Sequence, residues 1–267
     1  MRVLDSFTLN KINENAEKLE NILDGNIIYY YGPTHPLLLK PFRDIVEKMV
    51  DIIRHHFETV WFFIPDFAMS AGTIFCMSGD KIFMDYSSSL GPIDPQVTIN
   101  DNGTDKLVPA LGVLEQVEKL IEKSNNGSIT PAEFAILQGQ NLALLSSYEH
   151  AKDLSIDLAV NWLVKYKFKD WTFHRTDEKK KGKQVTKEEK CVRAREIVSK
   201  LADHKIWHSH GRFIGKTMLH NVLRIEIDDY PDEQTGSLIR TYNDLLTDFI
   251  EQKSYNYYIH NRQQLQL

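Results

Sequence analysis

The sequence has no long hydrophobic run, few cysteines and no excess of basic charge. No apolar segment approaches the ~20 residues that cross a bilayer, and residues 1–10 lack the apolar stretch of a signal peptide. The two cysteines, Cys76 and Cys191, do not have metal-ligand spacing. A net charge of −5 gives no reason to expect nucleic-acid or anionic-membrane binding. These absences predict a cytoplasmic protein with reduced cysteines, no membrane segment and no nucleic-acid partner.

The composition is that of a globular protein of 267 residues, with 42% hydrophobic and 26% charged residues. This length suits one large domain or a domain with a helical extension. Strand patterns concentrate in the first half and helical periodicity in the second. We therefore predict an α/β core over residues 1–125. A helical extension over residues 126–267 completes the same domain or mediates oligomerisation.

Two apolar runs of strand length flank a long amphipathic helix. Ile27–Tyr31 and Val60–Ile64 are the strands, and Leu37–Phe57 is the helix between them. This order predicts a right-handed parallel βαβ unit. Sites in parallel sheets form at the carboxyl ends of strands, where Gly32–Pro36 and Pro65–Ser70 follow the two runs.

Small residues follow the second strand, where Ser70 opens a short helix that continues to about Ser78. A further strand is predicted over Lys81–Tyr86. A serine held between a strand and a helix start suits a nucleophile, because the helix N-terminus offers free N–H groups. The alternative is that Ser70 only caps the helix.

Helical periodicity continues through the rest of the chain, interrupted by a charged segment, Lys169–Lys190. The lysines from Lys179 to Lys183 are interpreted as a solvated loop, with an anion-binding patch as the alternative. Thr130 and Pro131 form a good helix start. The other predictions are helices over Thr8–Leu23, Pro109–Lys123, Thr130 to about Leu145, Tyr148–Tyr166, Glu188–Leu201, Phe213–Val222 and Glu233–Lys253, and a polar tail over Ser254–Leu267.

The amino-acid sequence around Ser70 resembles that of a known family. The run A-M-S-A-G-T, Ala68–Thr73, precedes a G-D-K-I-F-M-D strand and then S-x-L-G-P-I-D-P-Q, Ser88–Gln96. This block resembles the serine dehydrogenase proteinase family, a branch of the Clp-fold serine peptidases in the ClpP/SppA/crotonase superfamily. The resemblance recurs in Leu145–Phe168 and Trp207–Arg212. It implies a ClpP/crotonase-like core, hydrolysis of a peptide or protein substrate through Ser70, and a homo-oligomer. We expect neither a cofactor nor a metal.

The resemblance also assigns the oxyanion donors. The backbone N–H of Ala71 is one, and the second comes from the loop after the first strand, where relatives carry a P-G-G run. This chain has Pro33-Thr34-His35 there, so Thr34 aligns with the donor glycine. The lost glycines reduce the freedom of the backbone to approach a substrate closely.

The general base is less well defined. Asp94 falls where ClpP has its histidine, although an aspartate between Ile93 and Pro95 also suits a turn that bonds its own backbone. SppA-type relatives use a lysine later in the chain. The candidates are ranked Lys152 first, then His150 and then Lys106.

Three interpretations of function stay open at this point. The first is a serine peptidase acting through Ser70. The second is a non-catalytic Clp-fold scaffold or binding protein, and the third is a crotonase-type acyl-thioester enzyme. His208 and His210 could bind metal, but a hydrogen-bonded turn in which Gly211 takes a positive φ is preferred. Cys76 is expected in the core.

Overall fold

The structure is a computed structural model that describes residues 3–32, 42–93, 96–101 and 104–262. It is a mixed α/β protein with small sheets and many helices. The helices are α1 Val3–Leu23, α2 Phe42–His56, α3 Ala71–Cys76, α4 Ala110–Asn125, α5 Pro131–Gln138, α6 Leu142–Trp162, α7 Lys187–Ala202, α8 His204–Trp207, α9 Lys216–Met218 and α10 Glu233–Lys253, with π-helical turns at Leu163–Lys167 and Leu219–Leu223. The strands are β1 Tyr29–Tyr31, β2 Trp61–Ile64, β3 Phe67–Ala68, β4 Lys81–Met84, β5 Ser89–Leu90, β6 Gln96–Asp101, β7 Thr104–Pro109, β8 Ile214–Gly215 and β9 Tyr258–His260.

Four small sheets organise the strands of the described chain. β2 and β4 run parallel, and α3 lies between them in the chain. β3 is parallel to β5, which is antiparallel to β8. β6 and β7 form an antiparallel hairpin, and β1 pairs antiparallel with β9.

The predicted parallel pairing of Ile27–Tyr31 with Val60–Ile64 is wrong. Strand β1 pairs with β9 from the far end of the chain, and β2 pairs with β4. The reason lies in the side chains of β1, which pack against the cluster that joins α1 and α10. The Tyr29 hydroxyl donates to Asn243 Oδ1 of α10 at 3.0 Å, which ties β1 to α10. Of the connecting helix predicted over Leu37–Phe57, residues 37–41 lie outside the described residues.

The segment predicted as a polar tail, Ser254–Leu267, contains a strand instead. β9 lies on β1, and its last residue, His260, is only 2% exposed. The Nε2 of His260 donates to Asn13 Oδ1 of α1 at 3.2 Å. The next turn is held by ion pairs of Arg262, each at 2.6 Å, to two carboxylates of α1, Glu17 and Glu20.

Two hydrophobic clusters form most of the core. The larger one draws on both halves of the chain and has fully buried side chains from α3 to β8, among them Met77, Leu90, Leu163, Ile197 and Ile214. The smaller one joins α1 to α10 through residues such as Ile12, Leu19 and Leu246. Leu90 of β5 belongs to the larger cluster and Ala68 of β3 packs against it, and these are the strands next to Ser70. Tertiary packing therefore fixes the position of these strands.

Several predicted helices are confirmed, and one is divided. Thr130 and Glu133 form a reciprocal capping box at the start of α5, and α10 has the predicted bounds. The helix predicted from Thr130 to about Leu145 ends at Gln138, because Asn141 begins α6 by accepting the backbone N–H of Leu144 at 3.2 Å. Within the part of the chain that the structure describes, no helix is long and apolar enough to cross a bilayer.

A buried ion-pair network fixes the start of β4. The Asp80 carboxylate contacts Lys169 Nζ at 2.6 Å and Arg54 Nη1 at 2.8 Å. It also accepts the backbone N–H of Val60 at 2.7 Å. Burial alone would raise the pKa of Asp80, but these three bonds together lower it. The charged carboxylate therefore ties α2 and the entry to β2 against the strand that follows α3.

Candidate functional site

Ser70 lies at the N-cap position of α3, directly after β3, as the sequence predicts. The N–H of Gly72 donates to the carbonyl of Met69 at 2.8 Å, which closes a turn with Ser70 at its first central position. Ser70 has φ 53° and ψ −115°. These angles are those of a type II′ turn, whose first central position normally holds glycine. A serine on a strained strand-to-helix turn is the geometry of a nucleophile elbow.

The Ser70 side chain does not cap α3. It makes no cap hydrogen bond, and no other side-chain partner for it is found among the described residues. A capping serine adopts extended backbone angles and accepts an N–H from the first turn. Ser70 does neither, so the capping interpretation does not explain why a side chain is placed at this strained position.

The side chain of Thr73 holds the Ser70 turn in place through hydrogen bonds. Its buried hydroxyl lies 2.7 Å from the carbonyl oxygen of Ala68 and 2.8 Å from that of Gly91, and it accepts the N–H of Gly91 at 3.0 Å. The residue is fully buried. One threonine thereby joins β3 before the serine to the loop after β5.

The loop after β5 approaches the turn closely because residue 91 is a glycine. A Cβ built on Gly91 would lie 2.6 Å from Met69 Cε and 3.1 Å from Met69 Cα, closer than real Cβ atoms pack. The Gly91 N–H also lies 3.1 Å from the carbonyl of Ala68. Any larger residue would push this loop away from the Ser70 turn.

The strand ends that carry the site are held by a second set of buried polar contacts. The Ser88 hydroxyl donates to the carbonyl of Ile64 and accepts the N–H of Asp85 at 2.9 Å. The Tyr230 hydroxyl donates to the same Ile64 carbonyl at 3.1 Å. Asn243 Nδ2 donates to Asp66 Oδ2 at 2.8 Å, which ties the turn between β2 and β3 to α10. The turn containing Ser70 is therefore supported on both sides.

Of the two predicted oxyanion donors, one lies in the described part of the chain. Ala71 is the first residue of α3 and is 7% exposed. N–H groups in the first turn of a helix lack intrahelical acceptors and sit at the positive end of the helix dipole. The Ala71 N–H therefore remains available next to Ser70. Thr34 lies outside the described residues.

Among the described residues, no hydrogen bond joins Ser70 to Lys152 or His150, and both remain predicted bases. Lys152 is half-buried on α6 and lines a surface cavity of about 320 Å³ whose other walls come from α4, α7 and the segment after α7. His150 is exposed on α6. Lys106 lies on β7, but its side chain is outside the described part, as is all of Asp94.

The Trp207–Arg212 run forms a hydrogen-bonded turn. Trp207 is 1% exposed, and its indole N–H donates to the carbonyl of Lys200 at 2.7 Å. The Arg212 N–H donates to the carbonyl of Ser209 at 3.1 Å. Gly211 was expected to take the positive φ, but His208 takes it, at 61°. Within the described ranges, no cluster of three His, Cys, Asp or Glu residues could hold a metal.

The remaining candidate features have structural roles. Cys76 is 3% exposed in α3, and burial raises the pKa of its thiol to about 12, so it is unreactive at neutral pH. Lys179, Lys181 and Lys183 are exposed in a loop, and Lys180 pairs with Glu189 at 2.6 Å. This arrangement fits the solvated loop that was preferred for the segment.

The sequence reasoning missed β8, which the structure places in the same sheet as β3. The helix predicted over Phe213–Val222 instead begins as this strand and becomes helical at Lys216. Ile214 is fully buried, while Phe213 before it is 58% exposed. This alternation is the signal of a strand, but it is too short to outweigh the helical period that follows it.

Comparisons with known proteins identify related sequences for part of the chain. Residues 45–132 match the family model described as ClpP-like SDH-type serine proteinase. The uncharacterized protein MJ0137 of Methanocaldococcus jannaschii is 36% identical over 101 residues, which cover 34% of this chain and 32% of that protein. The uncharacterized protein MJ1495 of the same organism is 28% identical over 83 residues, covering 31% and 26%. The matches thus span about a third or less of these relatives, and no solved structure matches the chain significantly.

Proposed function

We propose, from the match of residues 45–132 to the family model described as ClpP-like SDH-type serine proteinase, that this protein is a serine peptidase with Ser70 as its nucleophile. The observation that carries the proposal is the backbone of Ser70, at φ 53° and ψ −115° with no cap hydrogen bond. A strain of about 1–3 kcal/mol persists where the surrounding structure imposes it, and such positions cluster at active sites.

The site supplies two of the elements that acyl transfer needs. Ser70 Oγ would attack the carbonyl carbon of a peptide bond, and the Ala71 N–H at the start of α3 would donate to the oxygen that becomes negative. A carbonyl placed between these groups develops its negative charge against the positive end of the helix dipole. Thr34 remains the proposed second donor, and Lys152 and His150 remain the bases predicted from sequence.

The family resemblance carries the rest of the proposal. The substrate is a peptide or protein, and identical copies assemble into an oligomer. The cytoplasmic location rests on the two cysteines without metal spacing, which suit a reducing compartment. The sequence block over Ile64–Gln96 supports the peptidase interpretation over a crotonase-type enzyme, because Ser70 stands within a serine-peptidase motif. Sedimentation of the purified chain, 31.0 kDa as a monomer, tests the oligomer.

A fluorophosphonate probe tests the nucleophile directly, because it reacts only with an activated serine. We expect wild-type protein to be labelled, with the modification mapped by mass spectrometry to Ser70. Labelling should disappear in Ser70→Ala and persist in Ser147→Ala, which changes an exposed serine of α6. Labelling that survives in Ser70→Ala would reject Ser70. A folded wild type that is never labelled would instead favour the non-catalytic scaffold.

A further inference from the structure

The β3–β5–β8 sheet has one face in the core and one face that points away from it. Side chains alternate between the two faces along each strand. One row of paired residues lies in or against the larger hydrophobic cluster: Ala68, Leu90 and Ile214. The next row consists of Phe67, Ser89 and Gly215. This second row therefore lies on the open face of the sheet.

Two phenylalanines from different strands meet on the open face. Phe213 stands two residues before Gly215, so its side chain projects from the same side of the sheet. The β3 and β8 backbones are about 10 Å apart, because β5 lies between them. The ring centroids of Phe67 and Phe213 are nevertheless only 5.8 Å apart, in an edge-to-face arrangement with 62° between the planes. The two rings therefore lean toward each other across β5, which carries only the small side chain of Ser89 on this face.

Both rings stay largely in water although they touch each other. Phe67 is 62% exposed and Phe213 is 58% exposed. A single exposed apolar side chain needs no explanation, but a contacting pair forms an apolar surface, and such surfaces mark binding sites. Further burial of these rings against an apolar group would be favourable. The open face of the sheet thus offers a place for an apolar ligand group.

The aromatic pair lies beside the proposed nucleophile. Phe67 precedes Ser70 by three residues, which span at most about 10 Å of backbone. The residue directly before the serine, Met69, covers Gly91: its Cε and Sδ atoms would lie 2.6 and 2.7 Å from a Cβ built there. Methionine is flexible and adapts to irregular apolar contacts. Apolar side chains therefore lead from the aromatic pair to the residue before Ser70.

The area of the pair fits one side chain better than a second protein. A phenylalanine side chain offers about 150–250 Å², so the exposed parts of the two rings amount to about 200–300 Å². One large apolar side chain buries an area of this size. A stable protein interface takes about 800 Å² from each partner. The pair by itself is therefore too small for a second copy of the chain and large enough for one residue of a peptide.

We propose that Phe67 and Phe213 form an aromatic subsite, which receives a large apolar side chain of the peptide that Ser70 attacks. This inference rests on the proposed peptidase function and names a feature of its substrate. An extended peptide advances about 3.3 Å per residue. Since Phe67 lies within about 10 Å of Ser70 along the backbone, the recognised residue lies within about three positions of the bond that is cut.

Competition against fluorophosphonate labelling of Ser70 tests the subsite. Two blocked hexapeptides are compared, one of six alanines and one with phenylalanine at its third position, whose alanine neighbours let it bind in any register. In the wild type, the phenylalanine peptide should halve the labelling rate at a concentration about 5- to 30-fold lower than the alanine peptide. Phe67→Ala and Phe213→Ala should bring this ratio close to one. Phe213→Tyr keeps the ring and should retain the preference.

The controls separate the subsite from the fold and from the nucleophile. Phe173→Ala is the matched control, because Phe173 is 54% exposed and lies outside this sheet, and it should keep the wild-type ratio. The labelling rate of each variant without peptide is its own reference, and thermal unfolding checks that each variant is folded.

Three outcomes would contradict the proposals. A labelled wild type that does not distinguish the two peptides, or a Phe67→Ala variant that still does, overturns the subsite alone. If Phe67→Ala sediments as a smaller species while the peptide ratio is unchanged, the pair is a contact between copies, which also overturns the subsite. Absence of any labelling in the folded wild type overturns the peptidase proposal itself.

Discussion

Replacing Ser70 by glycine should make the protein more stable than replacing it by alanine. The reason is the backbone of the turn, where φ 53° and ψ −115° place a side chain in a conformation that suits glycine. Alanine removes the hydroxyl but keeps the Cβ, so it keeps the strain. Glycine removes both, so the difference between the two variants isolates the strain from any contact of the hydroxyl.

The magnitude follows from two opposing terms. A side chain held in such a region costs about 1–3 kcal/mol. Glycine gives back about 0.4–1 kcal/mol, because it makes the unfolded chain more flexible. The net stabilisation of Ser70→Gly over Ser70→Ala is therefore about 1 kcal/mol. For a protein of this size, that difference raises Tm by about 2–4 °C.

Urea and thermal unfolding of the two variants measure this difference. Ser89 on β5 provides the matched control, since it is also half-buried and is absent from the described residues with positive φ. There the order should reverse, with glycine less stable than alanine by about 0.5–1 kcal/mol. If Ser70→Gly were less stable than Ser70→Ala, the turn would not be strained in solution. The main argument for a nucleophile at this position would then be lost.

Two further predictions concern buried polar groups, the hydroxyl of Thr73 and the imidazole of His260. Thr73→Val should destabilise the protein by about 1–3 kcal/mol, because it removes the buried hydroxyl that lies between the carbonyls of Ala68 and Gly91 and accepts the Gly91 N–H. Thr73→Ser keeps the hydroxyl and should lose less stability in urea unfolding. Burial lowers the pKa of His260, an effect that Glu20 partly opposes, so the unfolded state binds more protons below about pH 6.5. Stability should therefore fall as pH drops from about 6.5 through the lowered pKa, and His260→Gln, which cannot titrate, should flatten this part of the curve.

Local features of the structure could be predicted from the sequence. The start of α5 follows from Thr130, Pro131 and Glu133, which satisfy one another within a single turn. The position of Ser70 at a helix start follows from an apolar strand that ends in small residues. In both places the interactions that determine the structure join residues only a few positions apart. They can therefore be predicted from the local sequence.

Pairing between distant segments could not be predicted in the same way. The Tyr29–Tyr31 strand would satisfy its backbone equally well on any available edge, and the choice of β9 depends on side chains of α1 and α10. Likewise, nothing in the sequence around Ile214 indicates that two residues of β8 join the sheet that precedes Ser70. His150, one of the bases predicted from sequence, lies exposed on α6.

The contact between the two ends of the described chain has a consequence for how the protein is made. The Tyr29–Asn243 hydrogen bond joins residues that are 214 positions apart. At a synthesis rate of about 5–20 residues per second, Asn243 emerges from the ribosome about 10–40 s after Tyr29. During this interval the apolar face of α1, with Ile12 and Leu19, has no α10 to cover it. A nascent chain arrested before residue 233 should therefore be the form that chaperones bind most strongly.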